Sequence, residues 1–333
     1  MHSFGFKVVP SDGEGSGVPV AIAGQVMVDV QRLITEIGAM MVRLELRIQN
    51  GVPPEILSKF DLRIGGSSSA GLGSDPAEGN EALMEDVLNR LSETLSFLGK
   101  GVVGTWMEDN FPEELGRGRI AGCILDLADH LDGHTLVFGT PDAQGTFRRV
   151  DREKLSRYTA TGDASVGAFI GTVSRDPVRR NRLVVSNGSG DVQLSFGSNI
   201  DPADIPSFIS AGPVIVTGTL VRNRDGSVSE IRNADGCYSF PQVRFHRIIT
   251  SARDIVLLNP VEGRPSHDPS SGEWSLSCDV LGIDVTKGSW DECVTAFHDY
   301  FSFLWEMYFE GEGDFEGEEL EIREYLQSLA PVL

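Results

Sequence analysis

Long apolar runs, paired cysteines and positive charge are what this sequence has least of, and each shortage removes a class of function. No stretch of the 333 residues approaches the ~20 apolar residues of a membrane-spanning helix, so no membrane segment is expected. The opening residues, MHSFGFKVVPSDGEG, hold no basic stretch followed by an apolar core. A secretion signal is therefore not expected, and the reading places the chain in the cytoplasm. Four cysteines, Cys123, Cys237, Cys278 and Cys293, are scattered without a C-x-x-C pair or histidines at finger spacing. Reduced structural thiols follow, with no disulfide, no metal and no cofactor expected. Lysine and arginine number 28 against 49 aspartates and glutamates, a net charge of −21. Such a surface repels phosphate backbones and favours basic partners, so nucleic acid is not expected as a ligand of the whole chain.

What is present divides the chain into three parts. Residues 1–160 carry a net charge of −8, residues 161–242 carry −1 and residues 243–333 carry −12. The fold class expected is α+β with several domains: an N-terminal α+β domain (1–160), a small five-stranded β-barrel (161–242) and a C-terminal α+β unit with an acidic tail (243–333).

In the first part Ser3–Val9 reads as a strand. From Gln25, the residues Val26, Val30, Leu33, Ile34, Ile37, Met40, Met41 and Leu44 recur at helical spacing, with Asp29, Arg32, Glu36 and Arg43 on the polar side. Phe60, Leu62 and Ile64 alternate in a strand that runs into GGSSSAGLGS at Gly65–Ser74. A phosphate loop needs a lysine after its last glycine, and Leu72-Gly73 follows Gly71 instead. No G-x-G-x-x-G opens a helix there either, so the stretch reads as a turn, with anion binding left open. Amphipathic helices are expected at Glu81–Leu98 and Pro112–Leu131, then a hairpin from His134–Phe138 and Gly145–Val150 and a helical turn at Asp151–Tyr158. D-L-A-D-H-L-D-G-H places Asp126, Asp129, His130 and His134 close together, but Gly133 ends the helix and no H-E-x-x-H is present. No nucleophile–base set stands out, leaving the Ser67–Ser69 loop and the Asp126/His130 pair as the places where a hydrolytic site would be sought.

Residues 161–242 alternate at Ala168–Ser174, Arg182–Ser186, Asp191–Phe196, Pro213–Val221 and Ser227–Arg232, with Asp201–Ser210 as a helical insert. Asn187-Gly188 and Asp225-Gly226 mark tight turns. Five short strands with a helix before the fourth resemble an OB-like or SH3-like barrel. Arg179, Arg180, Arg182 and Arg224 make this the least acidic surface, the place where single-stranded nucleic acid or a nucleotide would bind. Phe169 and Phe196 are expected to face inward.

The third part holds the most legible stretch. Ile255–Leu258 reads as a strand and Asn259–Gly272, rich in Pro and Gly, as a loop. Trp274, Leu276 and Cys278 alternate with Ser275, Ser277 and Asp279, and Gly282–Thr286 is a second strand. Ser289 precedes Glu292 by three residues, a capping box that starts a helix at Trp290. Along it Trp290, Val294, Phe297, Phe301, Leu304, Trp305 and Tyr308 form a wide apolar face, opposite Asp291, Glu292, Asp299 and Glu306.

With the run WSLSCDVLGIDVTKGSWDECV at 274–294 as its motif, the stretch 250–310 resembles the HicB-like antitoxin domain, a partial RNase-H-like unit in which a strand pair and a capped turn precede one long helix. In place of that family's usual DNA-binding extension stand an acidic linker, Glu310–Glu319, and a short helix to Leu329. Asp279 and Asp284 are the strand-borne acids, too few for metal-dependent nuclease chemistry. The resemblance implies a non-enzymatic, antitoxin-like protein or regulatory subunit of a prokaryotic defence system. It would bind a basic toxin or effector, with Asp291, Asp299 and Glu306 as first candidates for contact. Self-association stays open.

Overall fold

Apolar spacing of three and four along residues 20–46, and alternation along residues 164–175, set the two kinds of element from which the chain is built. The computed structural model describes residues 4–11, 17–49, 52–64, 72–73, 81–140, 143–159, 164–179, 182–188, 190–223 and 227–330. They divide into two compact units, Met1–Met41 with Val52–Thr161, and Val42–Gly51 with Gly162–Leu333.

In the first unit, strand β1 (Gly5–Pro10) is followed by helix α1 (Val20–Leu46), whose residues after Met41 count with the second unit, then by the one-turn helix α2 (Pro54–Leu57) running into a 3-10 turn (Ser58–Phe60), and the short strands β2 (Arg63–Ile64) and β3 (Leu72–Gly73). Helices α3 (Glu81–Gly99), α4 (Trp106–Asn110) and α5 (Glu114–His130), the hairpin β4 (His134–Thr140) and β5 (Ala143–Phe147), and α6 (Arg152–Thr159) complete it. The sheet runs β2-β3-β1-β4-β5, antiparallel throughout, and Phe6, Leu136, Phe138 and Phe147 bury its inner face. The helix stripes read from the sequence are buried as well: Val26, Val30, Leu33, Ile34 and Ile37 on α1, and Leu83, Val87, Leu91, Leu95 and Leu98 on α3. Two residues of α1 depart from expectation. Leu44 is exposed, and Asp29, placed by its spacing on the polar side, is buried because a histidine of α5 meets its carboxylate.

The second unit begins with the barrel. Strands β6 (Ala164–Arg175), β7 (Leu183–Ser186) and β8 (Asp191–Phe196) lead through a 3-10 turn (Pro202–Asp204) into α7 (Ile205–Ser210), and β9 (Pro213–Arg222) and β10 (Val228–Ser239) follow. The barrel closes in the order β10-β8-β7-β6-β9, with every pair antiparallel except β8 with β10. Phe169, Val173, Val185, Val192, Leu194, Val216 and Ile231 fill its interior.

A four-stranded antiparallel sheet comes next: β11 (Val243–Ile249), β12 (Asp254–Asp268), β13 (Glu273–Cys278) and β14 (Ile283–Lys287), ordered β11-β12-β13-β14. β12 corrects the expected loop at Asn259–Gly272, and its two prolines sit where the ladder tolerates them. Pro260 lies in the register break between Val256 and Val261, and Pro265 lies beyond Gly263, the last residue paired with β11. The β11–β12 turn is clamped by Arg247, whose guanidinium meets Asp254 through two hydrogen bonds of 2.6 and 2.7 Å in a buried pair. Helix α8 (Trp290–Leu304) begins where the capping box places it, with Ser289 Oγ accepting from the Glu292 amide at 3.3 Å. It continues into a π-helical turn, Trp305–Phe309, and α9 (Glu318–Leu329) ends the described chain. No helix among the described residues is long and apolar enough to cross a membrane.

Candidate functional site

The start of α8 is the junction of the second unit. Trp290 is fully buried, and its indole lies edge-on to Trp274 (5.3 Å) and Phe240 (5.5 Å). Its ring N–H donates to the Arg47 carbonyl at 2.9 Å, and its amide donates to the Asn187 carbonyl in the β7–β8 turn. That turn contains Gly188, whose positive φ of 87° and direct contact with the Gly288 backbone leave no room for a side chain. Asp291, one residue on, accepts from the Gln49 amide at 3.0 Å, while the Gln49 side chain donates to the Ile170 carbonyl at 3.1 Å. Asp291 is thus half-buried and already engaged within the chain.

The outer side of α8 has a different character. Phe297, Phe301, Leu304 and Trp305 are buried against the sheet, whereas Tyr300, Phe303 and Met307 are 44, 52 and 41% exposed. These three recur at i, i+3 and i+7, so they form one stripe on the helix surface. Asp299 and Glu306, two of the expected contact residues, lie beside that stripe. Loss of water around its carboxyl pushes Asp299 above the usual carboxylate range. Arg253 binds Glu310 at 2.6 Å and Glu306 at 3.2 Å, and these pairs, the Glu310 hydrogen bond first, raise the arginine pKa.

From Glu310 the chain crosses to α9 as an ordered strap. Phe315 packs edge-on to Tyr308 (5.3 Å) and beneath the Arg323 guanidinium (5.0 Å), and Arg323 donates to the Gly313 carbonyl at 3.3 Å. The aromatic ring turns inward, and Glu310, Glu312, Asp314 and Glu316 stand exposed along the strap. Inside the same helix, His298 is fully buried between Phe245 and Phe297, and its Nδ1 accepts from the Ile249 amide at 3.0 Å. Burial alone pulls this imidazole down to about 3.

On the barrel, Arg179 and Arg182 flank the turn after β6, while Arg180 and Arg224 lie outside the described residues. Asp176 organises the turn by accepting from the amides of Val178 (2.8 Å) and Arg179 (2.9 Å), bonds that hold its carboxyl below the usual range. Arg182 donates to Gln193 of β8 at 3.0 Å. Phe169 is in the barrel core as expected, and half-buried Phe196 packs on Phe208 of α7 at 5.6 Å. The aromatic ring the barrel exposes is Tyr238, on β10, at 59%.

In the first unit, Asp126 and His130 do not pair. Arg32 binds Asp126 at 3.2 Å, and His130 Nδ1 sits 2.6 Å from buried Asp29, which also receives Gln25 at 3.4 Å. His134 turns to the Asp132 carbonyl at 2.7 Å. Among the described residues no group of three or more His, Cys, Asp or Glu side chains could hold a metal ion. Ser67–Ser69 and the rest of Gly65–Ser74, apart from Leu72 and Gly73, lie outside the described residues. Burial pushes the thiols of Cys123 and Cys237 up to about 11 and that of Cys293 to about 12, so these three stay protonated near neutral pH.

Sequence reasoning missed Tyr300, Phe303 and Met307. The signal was available, since all three fall outside the three-and-four stripe that faces the core. No protein-family model, no curated protein and no solved structure matches the chain.

Proposed function

We propose that the protein is a non-enzymatic binding protein whose C-terminal part presents an acidic surface to a basic protein partner, as an antitoxin or a regulatory subunit of a prokaryotic defence system would. The observation that carries this reading is the strap: Phe315 and Arg323 pin the chain down while Glu312, Asp314 and Glu316 remain exposed. A fixed row of like charges loses little conformational freedom on binding and steers a cationic partner toward it. The HicB-like resemblance supports the same reading, because the β12–β13 hairpin, short β14 and Ser289-capped α8 follow the order of that unit. Co-purification of the full chain at low salt should yield a basic protein in fixed ratio, released as salt rises and screening shortens to a few ångströms. Recovery of the acidic chain alone at low salt refutes the reading, as does unchanged retention by an E312K/D314K variant.

A second reading has its own support. The barrel's parallel β8–β10 pair and the helix between β8 and β9 suit an OB-like barrel, with Arg182 bonded to Gln193 of β8, Arg179 in the turn that precedes Arg182, and Arg180 and Arg224 close in sequence to the turns after β6 and β9. Such a barrel would bind a short single strand. Filter binding at 50 mM salt tests it; no binding, or affinity unchanged by Arg179→Ala with Arg182→Ala, removes it.

A further inference from the structure

We infer that the exposed stripe on α8 is a docking site for a basic amphipathic helix of a partner protein. This rests on the acidic-surface reading and deepens it by naming the site and the form of its occupant. Tyr300, Phe303 and Met307 span eight residues, seven steps or about 10 Å of helix, which matches the two-turn footprint of a crossing helix. The stripe is preformed. α8 is locked from behind by Phe297, Phe301 and Leu304, and below it Trp305 stacks on Phe309 at 4.1 Å within the π-helical turn. Little ordering cost therefore opposes binding there.

Charge selects the occupant. Asp299, Glu306 and Glu310 border the stripe, the strap adds Glu312, Asp314 and Glu316, and Arg253 offsets only part of this. A second copy docked face to face would set carboxylates against carboxylates in a segment of net charge −12, which disfavours a symmetric dimer. The same charge repels nucleic acid and anionic lipid. An extended peptide would seek the free edge of a strand, and this surface is the side of a helix. A helix with apolar residues along one face and lysine or arginine beside them satisfies both parts of the surface.

The test uses the full chain and two labelled synthetic peptides of identical lysine/leucine composition, one with its leucines on a single helical face and one scrambled so that no face forms. Fluorescence anisotropy at low salt should show the amphipathic peptide binding about tenfold or more tightly than the scrambled one. Phe303→Ala with Met307→Ala should remove that advantage, while Leu320→Ala, an equally exposed position on α9, should leave it intact. Asp299→Asn with Glu306→Gln should flatten the salt dependence. The substituted residues Phe303, Met307, Asp299 and Glu306 all lie on the outer side of the helix, so these variants should keep the fold, which circular dichroism checks. Equal binding of both peptides, or indifference to the Phe303/Met307 change, overturns the docking stripe while leaving the acidic-surface reading in place. If neither peptide binds at low salt, both readings are removed. Concentration-dependent dimerisation abolished by Phe303→Ala assigns the stripe to a second copy and overturns the inference too.

Discussion

Acidification should loosen the packing of α8 through one side chain, His298. In the unfolded chain this histidine titrates near 6.5; in the folded chain its burial beside Phe245 and Phe297 lowers that value to about 3. Above 6.5 it is neutral in both states and contributes no pH dependence. As pH falls below 6.5 the unfolded chain takes up a proton that the folded chain refuses, so stability declines by about 1.4 kcal/mol per pH unit until the folded value is reached. Between pH 7.5 and 5.0 the loss from this group is about 2 kcal/mol. Three of the four tryptophans, Trp274, Trp290 and Trp305, lie in the second unit, so urea unfolding followed by their fluorescence reports on it. Many carboxylates add a background slope, which a His298→Asn variant shares. The asparagine oxygen can still accept from the Ile249 amide, and the variant should lose about 2 kcal/mol at pH 7.5 from the missing ring atoms. Its stability should then fall about 2 kcal/mol less than the parent's on going to pH 5.0. Equal pH slopes for the two proteins would refute the argument.

Other perturbations test separate joints. Trp290→Phe removes the donor to the Arg47 carbonyl and should cost about 2 kcal/mol in urea unfolding. Gly188→Ala meets both a positive φ and the Gly288 backbone, so a loss of about 3 kcal/mol is expected, visible as a lowered thermal midpoint of the second unit. His130→Ala strips buried Asp29 of its closest partner and should lower the first unit's stability by about 2 kcal/mol, read through Trp106; Gln25 and Arg32 limit the damage.

Local signals made the elements legible, and non-local ones hid the joints. Ser289 and Glu292 placed the start of α8 because a cap is decided within four residues. The barrel strands were readable because alternation and turn dipeptides act over similarly short spans. β11 went unread although Val243 and Phe245 alternate with exposed Arg244 and His246, a pattern too short to outweigh its surroundings. β12 was mistaken for a loop because Pro260 and Pro265 disfavour strands in general, and only the pairing partners reveal that neither is asked to donate. Glu292, Asp299 and Glu306 are exposed where their spacing put them, but Asp291 is half-buried, and its bond to Gln49 spans 242 residues and has no local signature. The exposed stripe was legible only in its phase, since Tyr300 and Phe303 sit among core aromatics and are set apart from them by helical direction alone.

The junction at Trp290 also orders the making of the protein. Arg47 and Gln49 leave the ribosome early, yet their partners Trp290 and Asp291 are synthesised more than 240 residues later. The first unit has all of its residues by position 161, while the second waits for α8 with its N-terminal piece already in place. A proteolytic cut between residues 52 and 161 would thus divide both units at once, and a barrel expressed from residue 162 onward would lack the short segment that fastens β6 to α8.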